Sequence, residues 1–199
     1  IEVVPCELLN PHELREALTG IDLVFHCAAQ VSFHLGDNND LVRANTDITH
    51  HVVNACLEAG VRRLVHVSSI AALGEPDEEG VIGADSYPDS VAGWNDYALS
   101  KFYSENEVWR GIRSGLDAVI VNPSIILGPG NWEGRGSAAL FAALSSGIPF
   151  YVPGVNGYVD LRDVAAAMIR LSTAPEAGRR RFVLNGENLS YRDFITLAA

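Results

Sequence analysis

Two hydrophobic rhythms alternate along the chain: short continuous apolar runs of strand length, and longer stretches in which apolar residues return every three or four positions. The opening Ile1-Glu2-Val3-Val4 reads as a strand. A helix follows over 11–19, with Asn10 placed to cap it and Gly20 to end it. Residues 21–27 (IDLVFHC) are the next strand-length run. A long helix is expected over about 40–59, where Leu41, Ala44, Ile48, Val52, Ala55 and Cys56 keep near a 3.6-residue period and Gly60 closes the stretch. Residues 63–67 (RLVHV) read as a buried strand. A polar loop over 74–93 then leads to a helix over about 95–113, and 117–122 (DAVIVN) is strand again. Strand–helix–strand units with continuously apolar strands require a parallel sheet covered on both faces, so the fold class is α/β, doubly wound.

After Pro123 the texture changes. Glycine and proline thicken through 128–136, followed by a helix over about 137–146, a short strand at 150–152, a helix over 164–173, a strand at 181–184 and a helix start after Asn188-Leu189-Ser190. The chain therefore divides into a main part, 1–123, and a smaller region, 124–199, incomplete at its end.

Composition narrows the class. With 199 residues, 48% of them hydrophobic, the chain can bury a sizeable core. A formal net charge of −11 argues against nucleic acid and anionic membranes as partners, because both want a basic surface. No stretch approaches the roughly 18 apolar residues of a membrane helix. The start, with Glu2, Pro5 and Glu7, has neither the basic end nor the apolar run of a signal peptide. The chain does not begin with methionine, its single one being Met168, and it reads as a fragment. Cys6, Cys27 and Cys56 are odd in number, far apart and without metal-ligand spacing, so no metal is expected. That cysteine usage suits a reducing compartment, and a cytoplasmic placement is the expectation.

Candidate chemistry centres on Tyr97-Ala98-Leu99-Ser100-Lys101. Four residues apart on a helix puts a phenol and an ammonium on one face. A phenol is a poor base at neutral pH, and a fixed positive charge nearby favours its phenolate form, which lets it exchange a proton with a hydroxyl or carbonyl. Lysine occurs once in this chain, at position 101; every other basic side chain among the 14 is arginine. Val67-Ser68-Ser69 ends a strand, where ligands sit in open α/β sheets.

In this order the motifs resemble those of the extended short-chain dehydrogenase/reductases, a family that includes NAD-dependent epimerases/dehydratases and dihydroflavonol-reductase-like enzymes. His26-Cys27-Ala28-Ala29 looks like the family's H-x-A-A strand end, and Arg43-Ala44-Asn45-Thr46 is similar to the start of its fourth helix. Val67-Ser68-Ser69 running to Gly74 looks like S-S-x-x-x-x-G, and Tyr97 to Lys101 with Glu105 like Y-x-x-S-K-x-x-x-E. Asn122-Pro123-Ser124 with Gly128-Pro129-Gly130 resembles N/R-P-x-x-x-x-G-P, and Tyr158 to Val164 the late V-x-D-V segment.

The resemblance implies a Rossmann-like fold, with 1–123 the remainder of a dinucleotide-binding domain and 124–199 mainly substrate-binding. It implies NAD or NADP as cofactor and a small-molecule substrate, either a hydroxyl or carbonyl compound or a nucleotide sugar; a homodimer stays open. Tyr97 would be the general acid/base, with Lys101 tuning it and holding the nicotinamide ribose. Ser69, second of its pair by the spacing to Gly74, would bind the substrate oxygen, and Asn45 would support the site. Ala28, Ala29, Gln30 and Val67 would line the cofactor, with Pro123, Ser124 and Ile125 near the nicotinamide and Glu7-Leu8 at the adenine. The family's first βαβ unit, with its glycine-rich loop and ribose-reading residue, is missing and would lie before Ile1. The 199 residues alone are therefore expected to bind dinucleotide poorly and to be inactive.

Other candidates read as structural. Gly134-Arg135-Gly136-Ser137-Ala138-Ala139 has G-x-G-x-x-A spacing but lies too far past a strand, and reads as a loop capped by Ser137. His50 and His51, adjacent on a helix, point different ways. His26 and His66 read as satisfied strand residues, and Arg179-Arg180-Arg181 as a solvated turn. Asn122 before Pro123, where sugar epimerases more often carry arginine, tilts the expectation toward a reductase over an epimerase/dehydratase. A non-catalytic dinucleotide sensor is the third reading, disfavoured because both Tyr97 and Lys101 are kept.

Overall fold

The computed structural model describes residues 2–30, 38–129, 144 and 151–198. Four short strands, β1 (Leu23–His26), β2 (Arg63–Val67), β3 (Ala118–Pro123) and β6 (Arg180–Leu184), form a parallel sheet in the order β1-β2-β3-β6. Their residues alternate between two apolar clusters, as the two-residue strand period demands. Leu64, Ala118 and Ile120 face one cluster with Leu14, Val53, Cys56 and Val108. Val65, Val119 and Val121 face the other with Val159, Val164 and Met168. Both faces are covered, which makes the sheet doubly wound and explains why its central strands are apolar throughout.

On the first face lie α1 (Pro11–Ala17), α2 (Asn38–Ala59) and α3 (Asp96–Arg113). Asn10 caps α1, its side chain accepting from His12 N, and Gly20 and Gly60 adopt positive φ just beyond α1 and α2. The second face carries α4 (Leu161–Thr173), capped by Asp160. At Gly111 the two long helices meet so closely that a Cβ there would stand 2.5 Å from Val53 Cγ1.

Beyond β3 the expectations hold less well. Ile125–Leu127 (β4), Val155–Asp160 (β5) and Glu187–Ser190 (β7) build a second, three-stranded sheet with one antiparallel pair, before the final helix α5 (Tyr191–Ala198). The strand expected at 150–152 is not seen at Tyr151 and Val152, which are exposed and irregular; the strand starts at Val155, after Gly154 at φ 144°. Phe150, the 134–139 loop and all but Leu144 of the expected 137–146 helix lie outside the described residues. The large sheet draws on both sides of position 123, since β6 returns to pair with β3.

The opening strand is a second correction. Residues 2–6 have no regular structure, and Val3 is 85% exposed. A strand exists through its partner's hydrogen bonds, and β1, the edge of the sheet, pairs only with β2 among the described residues.

Gly74 lets the start of the long loop pack directly on its own Tyr87-Pro88 backbone. A Cβ at this position would stand 2.2 Å from the Tyr87 carbonyl carbon, and backbone cannot swing aside as a flexible side chain can. Gly74→Ala is expected to destabilise the fold by about 1–3 kcal/mol, read as a lowered urea midpoint with an unchanged slope.

Candidate active site

Helix α3 begins where Asn95 Oδ1 accepts from Ala98 N at 2.9 Å, which places Tyr97 in the first turn. Tyr97, Lys101 and Glu105 then recur at four-residue intervals along one side, and the last two are buried. The Lys101 ammonium donates to the Val67 carbonyl at 3.1 Å, at the carboxyl end of β2, and burial pulls its pKa below the usual lysine value. Tyr97 is half-buried, and Ser100 Oγ donates to its carbonyl at 2.9 Å.

The two serines after Val67 divide their tasks. Ser68 Oγ points inward and donates to Glu105 Oε2 at 2.7 Å. Ser69 Oγ accepts from Ala71 N at 3.2 Å, capping the single turn Ile70–Ala72, and keeps its own hydroxyl proton to donate. Asn122 Nδ2 donates both to the Ser69 carbonyl (2.8 Å) and to Glu105 Oε2 (2.9 Å), which ties this strand end to the next.

Asn45 serves β1 in the same manner. Its Oδ1 accepts from Gln30 N at 2.7 Å and its Nδ2 donates to Gln30 O at 2.9 Å, so one carboxamide clamps the backbone just past Ala28 and Ala29. The same Nδ2 lies 3.4 Å from Ser100 Oγ, linking the clamp to the Tyr97 turn. Ser69, Lys101, Val67, Asn45 and Gln30 are thus gathered at the carboxyl ends of β1 and β2. Pro123 ends β3, Ser124 N donates to Leu184 O at 2.9 Å, and Ile125 opens β4. Ser124 lines a cleft of about 390 Å³ together with Ile70, Val81, Ile82, Asn156 and Asn185. Glu7 and Leu8 sit before α1: Glu7 N donates to Glu13 Oε2 of α1 at 2.8 Å, and Leu8 packs on the first core cluster.

Two expectations fail here. His66 is not a satisfied strand residue: it is buried with both ring nitrogens unpartnered among the described residues, its ring 5.2 Å from that of His26. His26 does find a partner, Thr49 Oγ1 at 3.1 Å. Nor is Arg181 solvated. Its guanidinium donates to Glu105 Oε1 at 2.9 Å, and the two side chains are only 4% exposed each. A buried carboxylate needs a cation, and Glu105 takes it from β6. The clue was available: Glu105 falls on the same apolar face of α3 as Ala98, Ser104 and Val108.

The buried histidine pair is expected to make the fold acid-labile. Burial, helped by the Lys101 charge, pushes His26 from 6.5 down to about 4, and burial with His26 and Lys101 pushes His66 well down. Both rings stay neutral in the fold and take protons once unfolded. The unfolded chain therefore binds more protons between pH 6.5 and about 4, and stability falls as pH drops through that window. His26 alone accounts for a loss of about 3 kcal/mol at the acid end and none above the window. Urea midpoints from pH 7.5 to 4.5 should fall more steeply for the native chain than for His66→Phe.

Among the described residues no helix is long and apolar enough to cross a membrane, and no cluster of three His, Cys, Asp or Glu could hold a metal. Residues 1–185 match the model of the NAD dependent epimerase/dehydratase family. The chain belongs to that family. Cinnamoyl-CoA reductase 1 of Petunia hybrida is 34% identical over 185 residues, covering 87% of this chain and 54% of that protein. Sterol demethylase protein B of Methylococcus capsulatus is 33% identical over 190 residues, covering 92% and 55%. Among solved structures, gox2253 superposes with a TM-score of 0.86 at 33% identity, covering 96% of this chain and 58% of that one. The chain spans about half the length of these curated relatives. What the structure describes fits the nicotinamide side of the epimerase/dehydratase family's cofactor. Lys101 commits one ammonium hydrogen to Val67 and has two others, and Ala28 and Ala29 present no side chain beyond Cβ to obstruct a ring.

Proposed function

We propose that the protein carrying this chain is an NAD(P)-dependent reductase of a ketone or aldehyde carbon, with Tyr97 as its general acid. The observation that supports this most is the buried Lys101 ammonium on the Val67 carbonyl, one helical turn from Tyr97 and beside Ser69. When bound, the nicotinamide would supply the hydride for the carbonyl carbon. The Ser69 hydroxyl and the Tyr97 phenol meet the carbonyl oxygen from the protein side, and Tyr97 delivers the proton as the alkoxide forms. Lys101 would hold the nicotinamide ribose and stabilise the phenolate left behind, and Pro123, Ser124 and Ile125 would lie near the ring. Asn45 fixes Gln30 and so the cofactor edge of β1. Glu7 and Leu8 would reach the adenine end.

Stoichiometry tests the reading. A reductase consumes one NADH or NADPH for each alcohol formed, followed at 340 nm and by product analysis. Interconversion of stereoisomers with no net cofactor consumption would show an epimerase instead.

A further inference from the structure

The segment between Ser69 and Tyr97 is held at its base by a buried cation that the proposed chemistry does not use. Arg181 Nε donates to Ala84 O at 2.7 Å and Nη2 to Ser86 O at 2.9 Å, while its carbon centre lies 4.5 Å from the centroid of the Tyr87 ring. The remaining edge of the guanidinium is neutralised by Glu105, which also takes hydrogen bonds from Ser68, Asn122 and Trp109. One planar fork thus joins β6, α3 and the loop, a geometry lysine cannot reproduce. Toward the tip, Asp77 Oδ1 accepts from Glu79 N and Val81 N at 3.0 and 2.8 Å, and Asp77 N donates back to Val81 O at 2.9 Å. The tip is therefore a tight turn rather than a slack loop. It carries Val81 and Ile82, 54% and 47% exposed, into the lining of the 390 Å³ cleft that Ser124 also borders. Paired exposed aliphatic side chains at a cleft wall are contact surface for an apolar ligand.

We propose that Arg181, neutralised by Glu105, is a positioning residue that pins this loop so that Val81 and Ile82 form the specificity wall for the apolar body of the carbonyl substrate. The inference deepens the reductase reading and rests on it for the identity of the ligand as a carbonyl compound. The pinning itself does not depend on that reading.

Two measurements test it. In the first, hydrogen exchange is followed over 74–93 in the native chain and in Glu105→Gln/Arg181→Met, which removes both charges together. Exchange there is expected to quicken about tenfold more than in β3, whose own change reads any global loss of stability. Exchange over 74–93 that changes no more than that of β3 overturns the pinning. In the second, 4-phenyl-2-butanone and the smaller, polar hydroxyacetone are compared as probes, by ligand-observed NMR and as substrates. Val81→Ser/Ile82→Ser, at exposed positions, should raise Kd and KM for phenylbutanone about tenfold, leave kcat within about threefold and leave hydroxyacetone unchanged. Equal shifts for both ketones, or none, overturn the wall. Binding of phenylbutanone without reduction by the native protein would sink the reductase reading while still deciding the wall.

Discussion

Replacing Tyr97 with phenylalanine is expected to lower kcat for the proposed carbonyl reduction by about a thousandfold and to leave the fold intact. The variant removes one oxygen from a half-buried side chain at the first turn of α3. The cap on that turn comes from Asn95, and the bond from Ser100 goes to the Tyr97 carbonyl, so neither needs the phenol oxygen. In the proposed reaction the variant lacks the proton donor, and positioned general acids contribute typically about 10²–10⁴ in rate. The loss should fall on kcat with cofactor affinity preserved, because Lys101 keeps its place on Val67. Steady-state kinetics with NADH or NADPH on the protein carrying this chain, alongside circular dichroism, measures both halves. Equal turnover by native and variant would remove Tyr97 from the chemistry.

The second large effect is on stability. Arg181→Met alone leaves Glu105 charged in a site where its side chain is 4% exposed, and orphaned buried charges cost about 3–5 kcal/mol. The carbonyls of Ala84 and Ser86 lose their donors as well. Adding Glu105→Gln to that variant removes the orphan charge and should recover more than half of the loss, since a glutamine oxygen can still accept from Ser68 and Asn122. Urea unfolding of the native chain, both single variants and the double variant closes the cycle. A double variant no more stable than Arg181→Met would show that the charge is not what the pairing neutralises.

The apolar rhythm predicted the half of the fold that contains the site. The strands at 21–27, 63–67 and 117–122 and the helices over 40–59 and 95–113 appear within a few residues of their expected ends, because the strands are continuous apolar runs, β2 and β3 buried on both faces, and each helix has one apolar side. Past Pro123 the rhythm weakened. β4 and β7, of three and four residues, are too short to show a period and are set by pairing with β5. Within the site, the spacing from Tyr97 to Lys101 was legible because both belong to one helix. The partners of Glu105 were not: Arg181 lies 76 residues further along, in a run of three arginines that pattern alone reads as surface. His66 misled for the same reason, since a strand histidine looks alike in sequence with or without a partner.

The sequence by itself determined that a parallel, doubly covered sheet would form and that a tyrosine and the single lysine would share one face of a helix at its carboxyl edge. Those outcomes follow from local periodicities of two and 3.6 residues, which act over a few positions and leave their mark in order along the chain. Only the tertiary structure decided that Ser68 turns inward to Glu105, which arginine is buried against Glu105 and what holds the loop between Ser69 and Tyr97. These depend on burial. A charged side chain is stable in water alone and inside the fold only with its counter-charge, and which of the two applies is settled by the packing of distant segments.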